Sequence, residues 1–235
     1  MITARFRDER GFGLTELIVA MFIFGIIGTL MITLVVTISR SFTQERAATD
    51  STMVAAVGMN ELTRVMRSGT EVPVAGGTQV PVFVEAFADK VTLYAYIDTT
   101  SLSPRPTKIQ FAVDPVSRDL TETRWAGVPV SGEPGAFSFS PTPESVRTIA
   151  RKIIDATDGT PLFTYLAVVT DPADPDFGTA QPLDATGGVN SSLIPTISVV
   201  QIAMNVQADI TARAEPVMLK NRVGIPNLGI SRIGL

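Results

Sequence analysis

The sequence predicts an α+β protein: one long N-terminal helix, apolar in its first half, whose second half packs on a mainly antiparallel β-sheet head. Three observations predict it. No charged residue interrupts Leu17 to Ser39. Apolar residues then recur at helical spacing through Ala55, Met59, Leu62 and Met66. Beyond Gly69 the chain changes to short β-branched and aromatic runs cut by Pro and Gly.

The first element is the apolar run, LIVAMFIFGIIGTLMITLVVTIS, of 23 residues. At about 1.5 Å per residue it reaches roughly 34 Å, the thickness of a bilayer core. Arg5, Arg7 and Arg10 stand ahead of it against Asp8 and Glu9, and Arg40 and Arg46 follow it. The balance predicts an N-terminus on the cytoplasmic side of a membrane and the remainder exported. An ordinary secretory signal would have a shorter apolar stretch and a small-x-small cleavage site, which Ser39-Arg40-Ser41 offers only loosely. An uncleaved anchor accounts for the hydrophobicity but gives no reason for Glu16.

Glu16 sits one helical turn after Phe12, at the mouth of the apolar run. A carboxylate turned toward hydrocarbon costs about 2.5 to 3.5 kcal/mol unless it is paired or snorkels to the headgroups. The order Arg10-Gly11-Phe12-Gly13-Leu14-Thr15-Glu16-Leu17 resembles the prepilin signature of type IV pilin-like proteins. That resemblance implies cleavage between Gly11 and Phe12 by a prepilin peptidase, N-methylation of the new Phe12 amine, and retention of the helix by the mature protein. It also implies assembly with other pilins or pseudopilins on a membrane platform, giving a filament at the cell surface or in the periplasm. The new ammonium could then neutralise Glu16 of its own chain or of a neighbour, turning a buried charge into an assembly register. The Pro that many filament-forming pilins carry within this segment is missing. Gly25 and Gly28 are the helix-loosening residues instead, at a spacing that departs from the four-residue dimer motif.

Helical patterning continues past the polar stretch Arg40 to Asp50, with Asn60, Glu61, Arg64 and Arg67 turned away from the apolar stripe and Gly69 a stop. The stripe reads as the core face of the half-helix. The resulting organisation is a leader at 1–11, a membrane or filament-core helix at 12–39, an amphipathic continuation at 40–68 and a head at 69–235.

In the head, strands are predicted at Val80–Phe87, Val91–Ile97, Lys108–Val113, Leu120–Trp125, Leu162–Val169, Thr196–Ile210 and Val217–Val223. Val91, Leu93, Ala95 and Ile97 alternate with Thr92, Tyr94 and Tyr96, as in a sheet covered on one side. Val146 to Ile154 fits a short helix or a strand. Ser131–Pro143 and Asp171–Gly188 read as loops. The runs beginning at Gly159-Thr160-Pro161, Ile194-Pro195-Thr196 and Leu219-Lys220-Asn221 loosely resemble the larger minor pseudopilins of the PulJ or PilW kind. That resemblance, with the length, implies a low-copy subunit.

Composition narrows the chemistry. The net charge of -4 gives no field for phosphate backbones, so no nucleic-acid contact is predicted. Cysteine and histidine are both absent, which removes thiol nucleophiles, disulfides, Cys/His zinc sites and the usual neutral-pH base. Ser191 and Ser192 have no His partner, and Asp155 and Asp158 flank a turn. No catalytic residue, cofactor or metal is therefore expected. The acidic run Asp171-Pro172-Ala173-Asp174-Pro175-Asp176 reads as a solvated turn, although oxygen-rich loops bind Ca²⁺ in some pilin-like heads. From another functional class, a membrane-tethered adhesin or sensor on the same anchor fits the same residues.

Overall fold

A computed structural model of the chain describes residues 13–97, 104–169, 171–207 and 215–228. Gly11 and Phe12 lie outside the described residues, as does the 208–210 end of the predicted Thr196–Ile210 strand. One continuous α-helix, α1, runs from Leu14 to Arg67. The chain divides into two compact units, Met1–Arg46 and Ala47–Leu235, with the division inside α1.

In the first unit, α1 carries no charge from Leu17 to Ser39, and the large apolar side chains of that stretch are exposed among the described residues. It is the one described helix with the length and composition to cross a membrane. In the second unit, α1 obeys the opposite pattern. Ser51, Ala55, Gly58, Met59, Leu62, Val65 and Met66 are buried, recurring at the spacings that keep one face of a helix against a core. The helix stops at Arg67, but Gly69 is not a left-handed cap, since its φ lies outside the positive region. It serves close approach instead: a Cβ there would sit 2.8 Å from Val82 Cγ1 and 2.9 Å from the Met66 carbonyl.

Twelve strands follow among the described residues. A small pair, β1 (Val72–Pro73) and β2 (Gln79–Val80), precedes a six-stranded sheet. That sheet holds β3 (Phe83–Ala86), β4 (Lys90–Ala95), β5 (Thr107–Val113), β6 (Leu120–Pro129), β7 (Phe137–Phe139) and β8 (Ser145–Ala150). Its strands run β3-β4-β5-β6-β7, and β8 also pairs with β6. The second sheet, ordered β10-β9-β11-β12, is built from β9 (Phe163–Val168), β10 (Ala180–Leu183), β11 (Ile197–Val206) and β12 (Val217–Gly224). All strand pairings are antiparallel. This is the α+β class the sequence predicts.

Both sheets share one core with the second half of α1, through residues such as Phe83, Leu93, Phe111, Phe163, Ile202 and Met204. Gly58 makes the closest approach possible. A Cβ there would stand 2.9 Å from Ala150 Cβ and 3.1 Å from Met204 Cε, so only Gly lets both sheets reach the helix. Tyr165 ties the sheets together at the other end, donating its hydroxyl to the Phe87 carbonyl at 2.8 Å. Burial holds that phenol well above its usual pKa.

Two regions differ from the sequence reading. The predicted loops 131–143 and 171–188 each contain a short strand, β7 and β10, because edge strands need few apolar residues to pair. The ambiguous 146–154 segment is mostly strand. β8 ends at Ala150, with a register shift opposite Leu120 and Thr121, and Ile153 bridges on to Val206.

Candidate functional site

The amino-terminal candidate site is the start of α1. Gly13 offers its carbonyl to the amides of Glu16 and Leu17 at 3.0 and 3.2 Å, closing the first turn. Glu16 is the acidic residue of that turn and is exposed. The unpaired N–H groups at a helix start favour a carboxylate there, so Glu16 has a local reason for its place whatever else it contacts. The Phe12 amine it was expected to meet, and the Gly11 bond, lie outside the described residues.

After Glu16 the surface is apolar. Large side chains from Leu14, 78% exposed, through Ile38 have no protein cover, far beyond the apolar patch an ordinary soluble monomer shows. One feature here was missed in reading Gly25 and Gly28 alone. Gly25, Thr29, Thr33, Thr37 and Ser41 fall four residues apart on one ridge. Each hydroxyl donates to the carbonyl four residues earlier: Thr29 to Gly25, Thr33 to Thr29, Thr37 to Thr33 and Ser41 to Thr37, at 2.8 to 3.1 Å. The four-residue spacing was legible in the sequence and is the one that lets apolar helices approach closely.

The head carries a second polar constellation that sequence reasoning also missed. Glu61, expected to face away from the core stripe, points instead at the first sheet. Glu122 of β6 is 0% exposed and accepts from Arg124 Nε at 2.5 Å and Arg147 Nε at 2.6 Å. Glu61 binds Arg64 at 2.6 Å and Arg124 at 3.2 Å, and Arg147 as well. The hydrogen bond from Arg64, followed by the charges of Arg64, Arg147 and Arg124, outweighs burial and holds the Glu61 carboxyl below its ordinary range. This network fastens α1 to β6 and β8. It is closed on itself and offers no reacting group.

Other polar candidates stay apart. Asp171 and Asp174 turn their carboxylates onto the amides of Ala173 and Asp176, both at 2.9 Å, in a surface hairpin. Among the described residues, no three acidic side chains converge to hold a metal. Asp155 pairs with Arg118 at 2.5 Å, and Asp158 caps Thr160 at 2.9 Å. Ser192 donates its hydroxyl to Asn190.

Residues 6–32 match the family model described as the prokaryotic N-terminal methylation motif. The matched stretch contains Gly11, Phe12, Glu16 and most of the apolar run. It supports a type IV pilin-like prepilin and, with it, processing by a prepilin peptidase and assembly with other pilins. No curated protein matches the chain.

Proposed function

We propose that this chain is a structural subunit of a type IV pilus or type II secretion-like filament. In this reading the chain is inserted with its N-terminus in the cytoplasm, cut between Gly11 and Phe12, methylated on Phe12 and packed by α1. The observation that carries it is the methylation motif at residues 6–32 leading into an uncovered apolar helix. Such a surface needs lipid or other helices around it, and a filament core supplies the second. The length of 235 residues favours a low-copy minor pilin or pseudopilin over the repeating subunit.

Glu16 is the assembly residue in this proposal. Paired with a methylated Phe12 ammonium, it would be desolvated only on docking, and removing one partner of a buried pair costs about 3 to 5 kcal/mol. Even half of that is a factor of more than ten in competition with intact neighbours, since ~1.4 kcal/mol is tenfold. Glu16→Gln therefore leaves cleavage after Gly11 intact and lowers incorporation into sheared filaments, with Glu16→Asp intermediate. N-terminal mass analysis reads the first step: a start at Phe12 is expected, whereas Met1 or Phe42 overturns the prepilin reading. Exclusive retention in the membrane would favour a tethered adhesin or sensor.

A further inference from the structure

We propose that the acidic loop 171–177 of one copy docks head to tail into the groove between α1 and β8 of a second copy. This deepens the filament reading and rests on it for where copies meet.

The groove comes first. Met53 and Val57 stand 58% and 63% exposed on α1, although Ala55 and Met59 between and beside them are buried. With Thr148, Ile149 and Arg151 they line an open slot of about 290 Å³. The rim is positive. Arg151, the charged residue of that lining, is exposed, Lys152 follows it in the chain, and Arg147 precedes Thr148 on β8. An apolar slot with a cationic rim asks for an apolar side chain flanked by carboxylates.

The head itself presents that chemistry elsewhere. The β9–β10 connection carries Asp171, Asp174 and Asp176 followed by Phe177, and Phe177 is 56% exposed. Phe177 is the one exposed aromatic side chain among the described residues of the Ala47–Leu235 unit. The loop is already ordered. Its base closes through the Gly178 amide on the Val169 carbonyl at 3.1 Å, two aspartates brace their own turns, and Pro172 and Pro175 fix φ. A pre-ordered loop loses little entropy on docking, and an aromatic anchor in a slot within a charged rim is the usual hot-spot arrangement. Slot and loop lie on different elements of the head, so in the head-to-tail arrangement a copy whose slot is filled still offers its own loop to the next, and the contact propagates in one direction. A low-copy subunit would use it in a short run.

The test uses full-length chain in membranes, and the natural sequence has no cysteine to interfere. Thr148→Cys is placed in one copy and Ala173→Cys in another, and a short bis-maleimide is added. A dimer is expected only when both variants are present, and the double variant should give a ladder. Phe177→Ser should cut the yield about tenfold, the loss of one anchor. Arg151→Glu should cut it too, and Asp176→Lys in the partner should restore it. Dimers from either single variant, or a yield indifferent to Phe177→Ser, would overturn the contact. Cross-links in membranes with no chain in sheared filaments would keep the contact and remove the filament reading. Chain in filaments without cross-links would do the reverse.

Discussion

The two halves of α1 share one hydrogen-bonded backbone and live by opposite rules. From Leu14 to Ile38, 17 large apolar side chains are exposed in the free chain. From Ser51 to Met66, seven residues are buried by the sheets of their own unit. The backbone is the same; the distribution of side chains around it is not. A helix apolar all round must find its surroundings outside the chain, whereas one with a single apolar stripe completes its core within the chain. Substitutions of one kind should therefore have unequal effects in the two halves.

The largest contrast is expected from truncation. Leu62 is fully buried, so Leu62→Ala should cost the head about 2 to 5 kcal/mol in transfer and cavity terms. Ile27 is uncovered, so Ile27→Ala should leave head stability within about 0.5 kcal/mol. Thermal unfolding of full-length protein in detergent, followed by near-ultraviolet circular dichroism, reads both. Equal losses would mean that the apolar half contributes to the head's core.

Next comes Glu122→Gln, which removes the buried negative charge between Arg124 and Arg147 and turns one of its two acceptor oxygens into a donor. A cost of about 2 kcal/mol is expected, below the range for a fully buried pair because both arginines reach solvent. Denaturant unfolding should show a lower midpoint at unchanged slope.

Gly58→Ala sets a gain of about 1 kcal/mol in helix propensity against overpacking of about 1 to 3 kcal/mol. Met204 can move its methyl, but Ala150 Cβ at 2.9 Å is fixed to the backbone, so a net loss of about 1 kcal/mol is expected. At Gly28, where a new Cβ would meet nothing within 4 Å, the same change should leave the head's midpoint alone.

The smallest effect is pH. The folded-state pKa of Glu61 lies below its ordinary 4.5, so its contribution is present above that value and fades as pH falls through the lowered one. Head stability should decline below about pH 4.5, and Glu61→Gln should flatten that decline. An unchanged slope in the variant would assign the acid sensitivity to other carboxylates.

Much of the fold was legible because its signals are local. The spacing of Ala55, Met59, Leu62 and Met66 announced the core face of α1, and the β4 alternation put Val91, Leu93 and Ala95 inside. β-branched density located β5, β6, β9, β11 and β12 to within a few residues. What the sequence hid depends on distant partners. Glu61 looks like a solvent-facing helix residue until Arg124 and Arg147 arrive from strands 63 and 86 positions away. Gly58 carries no mark of its role without Ala150 and Met204. β7 and β10 are recruited by pairing alone. At the amino terminus the motif was readable without any fold, since its residues are neighbours in the sequence.

The hydroxyl ladder on α1 has one more consequence. Thr29, Thr33, Thr37 and Ser41 each hand their proton to a carbonyl of their own helix, so none of them needs an acceptor from its surroundings. Exchanging one oily solvent for another then breaks no polar bond along this ridge and makes none. The free energy of that transfer reduces to how closely neighbours pack and how lipid rearranges. A segment of this kind is portable: its hydroxyl donors are satisfied before it meets any partner, and they stay satisfied when the partner changes.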